Sequence, residues 1–251
     1  MSARRGADGP DGLVVVDKEA GWTSHDVVAK SRGLLGTRKV GHSGTLDPDA
    51  TGVLLLGVGR VTRLLKFLTA LPKTYTAEIV LGVETTTLDA SGEVTAEHDM
   101  AAVTFADVQA AARGLTGAIE QIPPMVSAVK VDGKRLHALA REGIEVERAP
   151  RPVTVHRFDV TPTDDPLVIR CEVECSSGTY VRTLAADLGT ALGGGAHLRD
   201  LRRNGIGSFT LADARRLETV GPDAVLSPAE AMRDLARVVA SDAERLDVGH
   251  G

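Results

Sequence analysis

The sequence predicts an α+β fold, a mixed and largely antiparallel central sheet flanked by helices. Strand-like and helix-like segments succeed one another without the regular alternation that a doubly wound parallel sheet requires. The chain has 251 residues, 43% of them apolar, enough to build the core of one large domain or of a domain with a small appendage. No internal repeat interrupts that reading.

The elements follow in order. Gly12 to Asp17 is Val-rich and alternates poorly, as a buried strand does, and Ser24 can cap a helix running to about Leu35. Gly41, Gly44, Gly52, Gly57 and Gly59 punctuate a stretch whose short apolar centre, Val53 to Val58, reads as loop and strand before a helix from about Val61 to Thr69. Tyr75 to Leu81 is strand-like, Asp89 to Gly92 a turn, and Phe105 to Leu115 helical. After the break at Pro123-Pro124 come an extended piece, Met125 to Val131, a turn at Gly133 and a helix near Arg135 to Glu142. Val153 to Thr161 and Leu167 to Cys175 are strands joined by the turn residues Pro162 to Pro166. Gly178 opens a helix to about Leu188, Leu198 to Leu211 is extended, and a last helix spans Ser227 to Val239.

Composition narrows the function classes. No apolar run approaches the roughly 20 residues of a membrane span, and the Gly-, Arg- and Asp-rich start up to Asp11 has no apolar h-region. A disordered tail over residues 1–11 and a cytoplasmic location are expected. The two cysteines, Cys171 and Cys175, share one face of a strand and read as buried free thiols, too few for a zinc site. The formal net charge of -5 argues against binding nucleic acid through bulk charge. Its distribution softens that objection: Ser24 to Val83 holds eight Lys/Arg against four acids, whereas Ala212 to Gly251 holds eight acids and five bases.

The most informative stretch is Gly41-His42-Ser43-Gly44-Thr45-Leu46-Asp47-Pro48-Asp49-Ala50-Thr51-Gly52. Read locally, Asp47-Pro48 in a glycine-rich run is a turn. The Walker spacing is absent and no Rossmann fingerprint follows a strand, so nucleotide hydrolysis is poorly supported.

This loop resembles the signature G-H-S-G-T-L-D-P-x-A-T-G of the TruB-type pseudouridine synthases. Asp17-Lys18 with Gly21-Trp22-Thr23-Ser24-His25-Asp26 is similar to that family's entry motif, although Glu19 stands where proline is usual. Lys73-Thr74-Tyr75, Pro124 to Lys130 with Gly133-Lys134, Cys175-Ser176-Ser177-Gly178-Thr179-Tyr180-Val181-Arg182, and Gly195-Ala196-His197-Leu198 leading into Leu201-Arg202-Arg203 match further motifs in family order.

The resemblance implies a pseudouridine synthase fold with a central active-site cleft and no metal or cofactor. The implied substrate is uridine 55 in the T-loop of tRNA, flipped out before reaction. Asp47 is the implied catalytic carboxylate, attacking C1′, adding to C6 or supporting proton removal from the sugar. Arg182 is its implied counter-ion, a bidentate guanidinium expected to favour the ionised form by about 1–3 pKa units.

Tyr75 and Tyr180, the only tyrosines, are implied to line the uracil pocket, with Tyr75 also able to exchange the C5 proton. Leu201 closes that pocket, and His42 stacks in the opened RNA loop. Lys18 and the Arg202-Arg203 pair are expected at phosphates. The T-arm of tRNA is the expected partner, without guide RNA, membrane or obligate protein. Guide-dependent enzymes of the dyskerin type share H-S-G-T-L-D-P, but the short chain and intact entry motif favour the stand-alone enzyme. An RNA chaperone that opens the tRNA elbow is the reading from another class. Residues 12–226 form the expected catalytic domain, and 227–251 leave little room for the small C-terminal RNA-binding module of bacterial members.

Overall fold

The computed structural model describes residues 9–127, 130–131, 134–136, 144 and 146–239. The helix expected near Arg135 to Glu142 falls largely outside them, as do residues 1–8 of the expected tail. Asp11, its last residue, is held by the Arg60 backbone amide and guanidinium.

In chain order the strands are β1 (Gly12–Lys18), β2 (Val40–Ser43), β3 (Thr51–Val58), β4 (Lys73–Leu81), β5 (Val83–Thr85), β6 (Val94–Glu97), β7 (Gly117–Gln121), β8 (Lys130–Val131), β9 (Lys134–Arg135), β10 (Arg151–Pro162), β11 (Val168–Cys175), β12 (Ala196–Ile206), β13 (Phe209–Thr210) and β14 (Arg215–Arg216). The helices are α1 (Ser24–Leu34), α2 (Leu65–Ala70), α3 (Phe105–Gly114), α4 (Val181–Ala191) and α5 (Pro228–Ala231).

One large sheet runs β14-β1-β3-β12-β4-β11-β10-β7, with β2 on β3 and β13 on β12. Only β1–β14 and β3–β12 are parallel pairs within it; the expected largely antiparallel sheet is what forms. Its two halves are packed differently, and the sequence pattern shows why. In β1 and β3 the even-numbered Val14, Val16, Leu54 and Leu56 face α1, while Leu13, Val15, Val53 and Leu55 face Val61, Leu68 and Phe209. Burial on both faces removes any need for alternation, hence the unbroken apolar runs. Strands β4 and β11 instead bury one face, with Ala77, Ile79, Cys171, Val173 and Cys175 packed against Leu184 and Leu188 of α4. Both cysteines are free and buried there, and burial pushes their thiols up to about 12 and about 11, which keeps them protonated and unreactive.

Three expectations change. The cap of α1 is Thr23, in a capping box with Asp26, rather than Ser24. The segment from Gly59 begins as a 3-10 turn (Gly59–Leu64) and becomes α-helical only at Leu65. The last helix is one turn, Pro228–Ala231, capped by Ser227 and Glu230; the chain leaves helical geometry at Met232 instead of continuing to Val239.

The feature that positions the site is a seam on one edge of β3. There β12 pairs with Thr51 and Gly52, and β2 takes over from Leu55 to Val58. The loop 44–50, joining β2 to β3, rises at this junction. Gly52 is required at the crossing: its φ is +104°, and a Cβ would lie 2.2 Å from the Arg203 carbonyl oxygen.

Candidate active site

Every residue beside Asp47 is tied to a distant part of the chain. The Ser24 hydroxyl accepts from the Leu46 amide at 2.9 Å and donates to its carbonyl at 3.2 Å. Pro48 has no amide to donate, and its carbonyl accepts from Lys18 Nζ at 2.8 Å and from the Gly21 amide at 3.0 Å. Arg203 donates to the Gly44 and Thr45 carbonyls at 3.1 and 3.4 Å. The entry motif is thus a clamp on the Asp47 loop. That accounts for Ser24 not capping its helix.

Lys18 was expected at a phosphate. Its side chain is instead fully buried, with the ammonium donating to the carbonyls of Glu19, Trp22 and Pro48, and burial pulls its pKa down to about 8. Lys18→Met should therefore lower stability by about 2–3 kcal/mol as the Glu19 and Trp22 carbonyls lose this donor and Pro48 keeps only the Gly21 amide, read as a fall in thermal midpoint, and leave RNA affinity within about twofold; a phosphate contact would give the opposite pattern.

Arg182, at the second position of α4, is only 4% exposed. Its Nε stands 3.1 Å from Asp47 Oδ2 and its Nη1 3.2 Å from Asp89 Oδ2, while the two terminal nitrogens donate to the Thr87 and Val126 carbonyls. The guanidinium is therefore divided between two carboxylates instead of gripping Asp47 by two bonds. Asp89 is itself fixed by Ser91 and the Thr87 hydroxyl.

Arg182 favours the ionised form of Asp47 as expected, but burial outweighs it. Burial against the cleft wall raises its pKa, Arg182 opposes that rise, and Asp89 adds to it; the net direction is upward. A raised pKa means that Asp47 protonates above the ordinary carboxylate value as pH falls, so the acid limb of kcat/KM should lie above pH 3.8. Asp89→Asn removes a repelling charge and leaves Arg182 to Asp47 alone. Both changes favour the ionised form, so the limb should move to lower pH, which a pH–rate profile would read.

A cavity of about 240 Å³ opens beside this carboxylate, and Asp47, Arg182, Tyr75, Tyr180 and Leu201 all border it. Of the nine residues singled out from the sequence, the structure brings six to this cavity, these five and Arg203. Tyr75 lies on β4 directly opposite Arg203 of β12, and burial raises its phenol pKa so that it is un-ionised at neutral pH. Tyr180 is held through its backbone, whose amide donates to Gln121 Oε1 at 2.9 Å and whose carbonyl accepts from Gln121 Nε2. Leu201 reaches the cavity from a bulge: the register of β12 on β4 slips between Arg199 and Arg202, and Asp200 there adopts φ +53°. A second hollow of about 380 Å³ lies across the Asp47–Arg182 pair and includes Asp89 and Asp200.

His42 stands apart from both cavities. It meets His25 edge-on at 5.1 Å between ring centres, and burial lowers its pKa, leaving it a neutral ring beside the mouth of the loop. Arg203 was grouped with phosphate-binding residues but is 1% exposed, and Arg202 pairs with Asp17 at 2.8 Å. Sequence reasoning missed Asp89 and Gln121 and misplaced Lys18, Arg202 and Arg203. Asp89 and Gln121 carry no local signal, since their partners lie 93 and 59 positions away.

A family model described as "TruB family pseudouridylate synthase (N terminal domain)" matches residues 32–181, more than half of the chain. The chain belongs to the TruB family. A second model, for the tRNA pseudouridylate synthase B C-terminal domain, matches residues 182–242. As a TruB-family pseudouridylate synthase the protein is an isomerase. The tRNA pseudouridine synthase B of Rhodococcus jostii (strain RHA1) is 60% identical over 216 residues, covering 84% of this chain and 71% of that one. That of Thermobifida fusca (strain YX) is 49% identical over 251 residues, covering 96% and 86%. Among solved structures, a chain of a Cbf5-Nop10-Gar1 complex superposes with a TM-score of 0.75 at 28% identity, over 96% of this chain and 67% of that one. The fold of this chain is therefore shared with a chain of that complex. No helix among the described residues is long and apolar enough to cross a membrane.

Proposed function

We propose that this chain is a cytoplasmic tRNA pseudouridine-55 synthase that takes a flipped-out uridine of the T-loop, with Asp47 as the nucleophile. The observation that carries the reading is the Asp47–Arg182 pair at 3.1 Å on the wall of a cavity bordered by two tyrosines and a leucine.

The reaction breaks the bond between C1′ and N1, turns the uracil, and joins C1′ to C5; the C5 proton leaves and N1 gains one, so nothing is added or lost overall. Such chemistry asks for a fixed carboxylate, a place that retains the free base, and exclusion of water. The clamped loop supplies the first. Tyr75 and Tyr180 offer flat apolar faces for the base, a contact worth about 1–3 kcal/mol per stacked base in single-stranded recognition. Leu201 covers the ring edge. The Tyr75 phenol borders the same cavity and serves the exchange at C5 by passing on its own hydroxyl proton as it takes the one from C5, so that it stays un-ionised. His42, neutral and at the loop mouth, stacks in the opened RNA.

The tRNA substrate rests on relatives named tRNA pseudouridine synthase B at 49–60% identity, against 28% for the Cbf5 likeness. The deciding experiment incubates the pure protein with an unmodified T-arm hairpin and measures pseudouridine by mass spectrometry. Product at position 55 without any added RNA or protein is expected. A requirement for guide RNA would transfer the chain to the guide-dependent class, and binding without product would make it a chaperone.

A further inference from the structure

We infer that Arg203 is a positioning residue for the isomerisation, tying the Asp47 loop to the strands that carry Tyr75 and Gly52 at the cavity wall. The inference rests on the function proposed above and extends it to a residue of the cavity wall that the proposed function leaves without a role.

Arg203 is the largest of the fully buried side chains, and among the described residues no carboxylate forms an ion pair with it. A buried charge without a counter-ion is costly unless its donors are all used. Here they are used on the site. Nε donates to the Val53 carbonyl at 2.7 Å, Nη2 to Gly44 at 3.1 Å and Nη1 to Thr45 at 3.4 Å. Its charge also counters the effect of burial on the Tyr75 phenol, which borders the same cavity. Its backbone sits opposite Tyr75 on β4 and opposite Gly52 on β3, so one residue spans both strands that flank the site. A lysine keeps the charge but cannot reproduce a planar fork aimed at three carbonyls.

The test compares wild type with Arg203→Lys. With a T-arm substrate, kcat should fall by about 100-fold, the scale of a small misplacement of reacting groups, while KM stays within about threefold. The two tyrosines allow a readout independent of turnover: with 3-fluorotyrosine incorporated, and Tyr180→Phe used to assign the resonances, the fluorine signal of Tyr75 should shift in Arg203→Lys. A lowered thermal midpoint with unchanged kcat, or an unmoved Tyr75 signal, overturns the inference. Should Arg203→Lys not fold, Tyr75→Phe serves in its place: the nitrogen-15 signals of the Arg203 guanidinium should shift on loss of the phenol, and unmoved signals overturn the inference. If wild type makes no pseudouridine, the proposed function fails while these spectral outcomes still stand.

Discussion

Asp47→Asn is expected to reduce pseudouridine formation by about 10⁴-fold, the scale seen when a group acting on the reacting atoms is lost, while T-arm affinity changes by no more than about threefold. Asparagine preserves the shape of the side chain and its link to Arg182 Nε through the amide oxygen, so the clamps from Ser24, Lys18 and Arg203 stay in place. What disappears is the negative charge and the nucleophilic lone pair. Because burial raises the Asp47 pKa, removing the ionised carboxylate also relieves a strain on the fold, and the variant should unfold at a temperature no lower than wild type. An active Asp47→Asn enzyme would remove this residue from its role. Loss of binding together with activity would mean that the loop had collapsed.

The second large effect is expected at Arg182. In Arg182→Met the two carboxylates Asp47 and Asp89 face a shared site with no cation between them, and the Thr87 and Val126 carbonyls lose their donor. Stability should fall by about 2–3 kcal/mol, less than for a fully buried pair because Asp47 remains partly open to the cleft. Activity should fall by about 10²–10³-fold at neutral pH, and the acid limb should move upward as Asp47 loses its only strong attraction. Restoring charge with Arg182→Lys should recover stability better than rate, since an ammonium cannot serve two carboxylates and two carbonyls from one plane. Equal recovery of both would show that charge alone matters at this position.

How much of this was visible in the sequence depended on the range of the interaction. The sheet halves were legible because burial on two faces or one writes itself into a strand's own residues, as in β1 against β4. Hairpin strands β10 and β11, adjacent in sequence, were legible for the same reason. The cap of α1 was misassigned by one residue, since Ser24 is as good a capping residue as Thr23 and nothing local reveals that its hydroxyl serves Leu46, 22 positions away. Lys18 and Arg203 were placed at phosphates because cations in an RNA-binding family suggest phosphate. Their burial depends on strands far apart in sequence. Asp47, alone, has the features of a turn; it became a site residue through motif order, and its upward pKa comes from burial in the fold, with a further push from Asp89, which local chemistry presents only as another turn.

The position of β12 bears on how the molecule is assembled. This strand lies between β3 and β4, yet it is made some 120 residues after β4, and it alone joins the half built from β1 and β3 to the half built from β4, β11 and β10. Until it inserts, a growing chain holds two separate sheets with exposed edges, and the Gly44 and Thr45 carbonyls lack the guanidinium that steadies them. Long-range pairings of this kind form late. The Asp47 loop is therefore expected to mature in the last cooperative step, so recovery of activity after denaturation should track the slowest refolding phase, well behind the return of secondary structure.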